Sequence, residues 1–199
     1  MKKQENGDSS ERFHVVLRGL KDLMFDRYSG MKDTDFNEKL YLNNKKEVCI
    51  PQSALFSLFT ATNTESAPKV YLPVKEYKKA ALAYRGCLDF LSPELIPLQR
   101  GDQPIVFTAI PEGAQSDPGS GVYVHRAVAR VTGGIPNDKV RPTLPAPWKL
   151  SFDIVLEEND VVSVEDFHRL LRKAGKGIGL GTYRPRFGKF EVETFEEVV

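Results

Sequence analysis

The chain has 199 residues, 41% of them hydrophobic and 28% charged, with 28 Lys and Arg against 27 Asp and Glu for a formal net charge of +1. That length suits one domain with a sizeable core; no apolar run approaches the ~20 residues of a membrane-spanning helix, and Cys49 and Cys87 make neither a disulfide framework nor a four-cysteine zinc site. Taken as a total, the charge argues against a nucleic-acid partner.

Residues 1–10 have no apolar stretch behind their lysines. They read as a disordered lead-in to a cytoplasmic domain at 11–199 rather than a secretory signal. A β-branched, apolar strand is expected over 12–18, stopped by Gly19. Residues 26–38 are polar and read as an exposed loop. The runs 39–42 and 47–50 form a hairpin about Asn43-Asn44-Lys45-Lys46, because Asn tolerates positive φ.

Pro51 and Ser53 open a helix carrying Leu55, Phe56, Leu58 and Phe59. Residues 60–68 break it, and Val70-Tyr71-Leu72 reads as a short strand. A helix over 74–85 follows, with Val74, Tyr77, Ala81 and Tyr84 on its apolar stripe and Gly86 as its stop. Residues 92–121 are rich in Pro and Gly, with one strand at 105–110. Strands are expected at 122–131 and 149–156, with a loop over 133–147 between them. Ser163 and Asp166 cap a helix whose stripe is Val164, Phe167, Leu170, Leu171 and Ala174 and which Gly175 ends. Residues 187–194 form the last strand. The order implies an α+β, ferredoxin-like antiparallel sheet with two main helices and long inserted loops, at 26–46 and 63–147.

The most informative segment is residues 175–190, with five glycines at 175, 177, 179, 181 and 188. Glycines in this density permit close backbone approach, and successive N–H groups can form an anion-binding nest. A compact helix-to-strand turn is the other reading. Neither a P-loop nor a dinucleotide fingerprint fits, because the glycines follow a helix and precede a strand.

Charge is segregated along the chain. Residues 168–189 hold seven basic side chains (Arg169, Arg172, Lys173, Lys176, Arg184, Arg186, Lys189) and no acid. Residues 122–149 hold Arg126, Arg130, Lys139, Arg141 and Lys149 against Asp138 alone, while 151–166 hold six acids and no base. The C-terminal tail adds Glu191, Glu193, Glu196 and Glu197. Such a pattern suits a phosphate backbone on one face, head-to-tail subunit contacts, or a solvated basic helix end. The neutral total is therefore compatible with nucleic-acid binding.

The loop resembles the C-terminal glycine signature of the RAMP superfamily, which includes backbone subunits of CRISPR effector complexes. The matching residues are Gly177-Ile178-Gly179 (or Gly179-Leu180-Gly181), Arg184-Pro185-Arg186 and Phe187-Gly188-Lys189-Phe190. Ile50-Pro51-Gln52-Ser53-Ala54-Leu55 is similar to the step that opens the first helix in that family, with Gln52 where a glycine is usual. The resemblance covers residues 50–60 and 148–193. It implies a modified RRM-like fold that oligomerises along single-stranded RNA without reading bases, as one subunit of an antiviral-defence ribonucleoprotein. On that reading Arg169, Arg172, Lys176, Gly177, Gly179, Gly181, Arg184, Arg186 and Lys189 face nucleic acid or a neighbouring subunit. Tyr28, Tyr123 or Tyr183 would stack on bases.

Two other readings stand beside it. One is a stand-alone phage or mobile-element protein that binds single-stranded DNA or imitates an effector subunit. The other is an endoribonuclease using Asp33, Asp35 or Glu38, since some RAMP subunits cut RNA with an acid placed in this loop. The leading expectation is a non-catalytic protein with no cofactor and no metal. His14, His125 and His168 have no partner at ligand spacing, and Trp148 reads as a core anchor.

Overall fold

Alternation over residues 12–18 puts Phe13, Val15 and Leu17 on one face, and that face is buried in the computed structural model, which describes residues 10–28, 36–129 and 137–198. In chain order the strand β1 (Ser10–Gly19) leads to β2 (Leu23–Met24), a 3-10 turn (Phe36–Lys39) and β3 (Cys49–Pro51). The helices α1 (Gln52–Thr60), α2 (Ala67–Tyr71) and α3 (Tyr77–Cys87) come next, then the strands β4 (Leu88–Phe90), β5 (Leu95–Arg100) and β6 (Gln103–Pro104). The hairpin β7 (Tyr123–Ala129) and β8 (Asn137–Leu144) precedes β9 (Lys149–Glu157), α4 (Val164–Gly177) and β10 (Phe190–Glu197).

The main sheet runs β10-β1-β9-β5-β3, antiparallel throughout, with β4 also on β9 and β6 on β5. With β4 and β5 as the second strand of the repeat, this is the ferredoxin-like order expected from sequence. A smaller sheet, β2-β8-β7, stands beside it. The helices cover one face of the main sheet. Phe59 of α1, Tyr84 of α3 and Phe167 of α4 meet there, with Phe59 and Phe167 stacked at 4.4 Å and Tyr84 at 5.2 Å from Phe59. Each such aromatic contributes about 2–3 kcal/mol by burial. The other face is open and carries Arg12, His14, Val16 and Arg18 of β1.

Several expectations are corrected. Residues 70–72 are not a strand: Ser66 accepts the N–H of Lys69 and Pro68 sits in the first turn, so α2 forms and ends at Tyr71. Val74 lies ahead of α3 and is 82% exposed rather than on its buried stripe. Gly86 does not stop α3, which runs on to Cys87. Residues 92–121 contain β5 as well, whose inward Ile96 and Leu98 are buried. Residues 105–110 form no strand, although Ile105 and Phe107 bond the backbones of Leu98, Val48 and Lys46.

The stretch expected as a loop at 133–147 contains β8, paired along its length with β7. Gly175 lies inside α4, where a Cβ would come 2.3 Å from the Phe190 carbonyl oxygen. The last strand starts at Phe190 rather than 187, and the hairpin at 39–50 turns with positive φ at Lys46 rather than at an Asn. Trp148 is fully buried, donates to the Lys21 carbonyl at 2.9 Å and packs against Gly19, as an anchor should.

The glycine-rich loop is clamped to the connection between β1 and β2. Gly188 N–H donates to the Asp22 carbonyl (2.8 Å), Thr182 N–H to the Met24 carbonyl (2.9 Å), and Leu20 N–H to the Lys189 carbonyl (2.7 Å). Gly188 has φ +73°, and a Cβ there would lie 1.9 Å from the Leu180 carbonyl oxygen. Only glycine permits that crossing.

Two outcomes follow from this packing. Gly188→Ala will cost about 2–4 kcal/mol, lowering Tm by roughly 5–15 °C. Gly113→Ala shares a positive φ of 77° but meets nothing within 4 Å, and will cost about 1 kcal/mol. Equal losses in a thermal melt would refute the clamp. Both thiols are buried, and burial pushes Cys49 up to about 11 and raises Cys87. Dithionitrobenzoate at mild alkaline pH will therefore label neither cysteine quickly until denaturant is added; fast labelling of the native protein would contradict their placement.

Candidate nucleic-acid interface

Helix α4 separates its charges by position. Ser163 caps it by accepting the Asp166 N–H (3.2 Å), Glu158 accepts the Val164 N–H (2.8 Å), and acids occupy the first turn. Phe167, Leu170, Leu171 and Ala174 face the core, so the helical period turns Arg169, Arg172, Lys173 and Lys176 to solvent. Together with Glu165 and His168 they line an open groove of about 390 Å³. From Arg169 to Lys176 the helix rises about 10 Å, which spreads the cations along a line rather than at a point. Arg169 also pairs with Asp166 at 2.6 Å, an exposed contact of little energetic weight. Lys173 Nζ lies 5.5 Å from the centre of the Tyr71 ring. His168 stacks on Phe195 at 4.4 Å; burial, then Arg172, holds its pKa below the ordinary value.

The loop after α4 divides its residues between packing and solvent. Ile178 and Leu180 are buried, and Gly179 donates its N–H to the Ala174 carbonyl (2.8 Å). A Cβ on Gly177 would strike the Tyr71 hydroxyl at 1.9 Å, and one on Gly181 the Met24 carbonyl oxygen at 2.4 Å. Arg184 is half-buried with a 3.5 Å contact to the Gly179 carbonyl, Lys189 is half-buried, and Arg186 is exposed with its guanidinium carbon 6.0 Å from the centre of the Phe187 ring.

Tyr183 is 41% exposed; its ring meets Phe187 at 6.3 Å and receives the Arg141 guanidinium at 5.7 Å. Phe187 in turn meets His125 of β7 at 5.2 Å. Of the other tyrosines singled out for stacking, Tyr28 is 86% exposed, whereas the Tyr123 hydroxyl donates to Asp22 at 2.7 Å. Burial, then that carboxylate, raises the Tyr123 pKa. Phe187 and Phe190 are both buried, so neither offers a ring on the open sheet face as an RRM strand does.

The two motifs of the family resemblance, the Ile50-Pro51 step and the glycine loop, converge on one pocket. It has a volume of about 250 Å³ and is lined by Ile50, Pro51 and Ala54 at the start of α1, by Gly181 and Thr182 of the loop, and by Phe25, Asp26 and Tyr41. Pro51 supplies no side-chain cap to α1, and the Gln52 N–H in its first turn donates to the Glu94 carbonyl at 2.7 Å. Gln52, which stands where the family has a glycine, reaches away to donate to the Ser92 carbonyl at 2.5 Å. Arg27 lies 5.7 Å from the Tyr41 ring centre. Asp26 accepts from the buried Arg141 at 2.8 Å, whose Nη1 has no partner among the described residues. Sequence reasoning missed Tyr41 and Asp26, which look like an ordinary strand residue and a loop acid; Arg141 was visible only as one member of a basic block.

Of the acids proposed for nuclease chemistry, Asp33 and Asp35 lie outside the described residues, and Glu38 is exposed in the 3-10 turn. Among the described residues, no group of three His, Cys, Asp or Glu side chains is placed to hold a metal ion, and no helix is long and apolar enough to cross a membrane.

No family model and no curated protein matches the chain. A chain in the cryo-EM structure of Type III-B Cmr-beta bound to cognate target RNA is similar in fold, with TM-score 0.60 over 95% of this chain at 12% identity. This chain spans 61% of that neighbour's length. The likeness is one of fold, and it agrees with the ferredoxin-like antiparallel α+β architecture described above.

Proposed function

We propose that the chain is a RAMP-type subunit of a CRISPR-like ribonucleoprotein that holds single-stranded RNA by its phosphate backbone. The observation that carries this reading is the convergence of the Ile50-Pro51 step and the glycine loop on one pocket. Half-buried Arg184 and exposed Arg186 follow Gly181 and Thr182 in the loop that lines it, and the cations of α4 precede that loop in the chain. The neighbour's presence in an RNA-bound complex agrees with it.

The chemistry fits backbone contact better than base reading. Arginine and lysine meet phosphates without sequence preference, and Tyr183 and Tyr41 offer ring faces to any base. On this reading the loop glycines position the strand-facing cations, and their own N–H groups serve mainly the fold.

Charge reversal at Arg184 and Arg186 together will weaken binding of a short labelled single-stranded RNA at least tenfold at about 50 mM salt. It will also flatten the dependence of log affinity on log salt by about 0.7 for each phosphate no longer neutralised. Arg172→Glu with Lys176→Glu, on exposed positions that cannot disturb the core, will act in the same direction. Fluorescence anisotropy measures both, with thermal melts to show that the variants stay folded. Unchanged affinity in both variants would refute the reading, and the same series with single-stranded DNA separates the two nucleic acids.

A further inference from the structure

Strand pairing on the open sheet face brings together three side chains that lie up to 139 positions apart in the chain. His14 of β1 sits opposite Asp153 of β9. Ser151 precedes Asp153 by two residues, so both of these side chains stand on the same outward row of β9. The His14 ring bridges them: its Nδ1 lies 2.6 Å from Asp153 Oδ1, and its Nε2 lies 3.3 Å from Ser151 Oγ.

The chemistry of the three groups fixes where the protons lie. A carboxylate only accepts, so it takes the Nδ1 proton and leaves the neutral ring with a lone pair at Nε2. The Ser151 hydroxyl donates to that lone pair. Hydroxyl, imidazole and carboxylate in this order are a nucleophile, its base and the group that orients the base. A 3.3 Å contact suits a site without substrate, where such hydrogen bonds are commonly loose.

Stability does not account for the arrangement. The His14 and Asp153 side chains are 39% and 52% exposed, and an exposed ion pair contributes little. The backbone beneath them is nonetheless held firmly: the Asp153 N–H donates to Ser92 Oγ at 2.8 Å, and its carbonyl accepts the Leu91 N–H at 2.9 Å. Paired strands hold a site more precisely than loops do. Val16, half-buried and opposite Ser151 on β1, is an apolar floor beside the hydroxyl. Lys149, the only basic residue of β9, precedes Ser151 in the same row. Its partly exposed pair with Glu193 is weak, which leaves the ammonium available to a developing negative charge.

We infer that Ser151, His14 and Asp153 form an acyl-transfer site whose substrate is an activated ester or thioester with a small apolar acyl group. Ser151 Oγ attacks the acyl carbon while its proton passes to His14 Nε2. The bond to the leaving oxygen or sulfur then breaks, the leaving group takes that proton, and the acyl group stays on Ser151. Water attacks this new ester in the same way and gives one proton to Nε2. The bond to Ser151 Oγ breaks, Oγ recovers the proton, and a carboxylic acid leaves. Ser151 and His14 are the catalytic residues, and Asp153 positions the ring. The site shares no residue with the pocket, the glycine loop or the α4 stripe, so it stands apart from the RNA reading.

A fluorophosphonate, which bonds to an activated serine hydroxyl with loss of fluoride, reports the nucleophile. Incubated with the full chain, it will label Ser151, as peptide mapping by mass spectrometry shows. 4-Nitrophenyl acetate will acetylate the same residue and release nitrophenolate, and Ser151→Ala will abolish both reactions. His14→Ala will slow both by roughly a hundredfold, and millimolar imidazole will restore much of the labelling, an effect that a purely structural histidine would not show. Asp153→Asn will slow them by roughly tenfold or more. All three positions lie on the open face outside the core, and melting curves check that the variants stay folded. An unlabelled wild type, label spread over other side chains, a His14→Ala loss that imidazole fails to restore, or Ser151 labelled as fast in the His14 and Asp153 variants as in wild type would each overturn the inference.

Discussion

Asp22, in the short connection between β1 and β2, ties together four distant parts of the chain. Its carbonyl accepts the Gly188 N–H, and its carboxylate accepts the Tyr123 hydroxyl at 2.7 Å and the Ala146 N–H at 3.0 Å. One residue thus joins the first strand, the β7–β8 hairpin, the approach to β9 and the glycine loop before β10. Its neighbours extend the joint: Lys21 takes the Trp148 indole N–H and Met24 takes Thr182. Groups so bonded and so little exposed are costly to leave unpaired. The loop's path, and the pocket it forms with α1, are therefore set by residues 20–24 between β1 and β2.

Charge that looks balanced as a total is sorted by the fold. The acids of β9 and all those of β10 but Glu197 go to the open sheet face, where three of them meet Arg18, Lys149 and His14. The cations of α4 go to the outer side of the helix layer, because the apolar stripe of that helix leaves them no other direction. The lysines of α3, inconspicuous in a charge count along the chain, add a second basic stripe. A net charge of +1 is the sum of these separated surfaces.

The strongest periodic signals were legible: β1 and β9 alternate cleanly, and α4 has both a cap and an apolar stripe. Those elements, in that order, were enough for the ferredoxin-like class. What stayed hidden was decided by contacts no local pattern encodes. Arg141-Pro142-Thr143-Leu144 reads as a loop because Pro is rare in strands, yet β8 is held by β7 on one side and β2 on the other. Val70 and Tyr71 favour strand by propensity, but the Ser66 cap and Pro68 start a helix first. Gly175 looks like a stop and is instead the place where α4 lets the Phe190 backbone approach. The candidate site was half visible: both motif segments stood out, while Tyr41 and Asp26 gained meaning only when the chain brought them beside Gly181.

RNA binding at the pocket is tested most directly by finding where a bound strand touches the protein. Single-stranded RNA carrying 4-thiouridine, cross-linked to the full chain by near-ultraviolet light and mapped by mass spectrometry, gives that answer. The expected result is cross-linked peptides from the segment around Tyr41 to Ala54 and from the loop holding Tyr183. Cross-links confined to the open sheet face of β1, β9 and β10, with the loop and the start of α1 unlabelled, would contradict it.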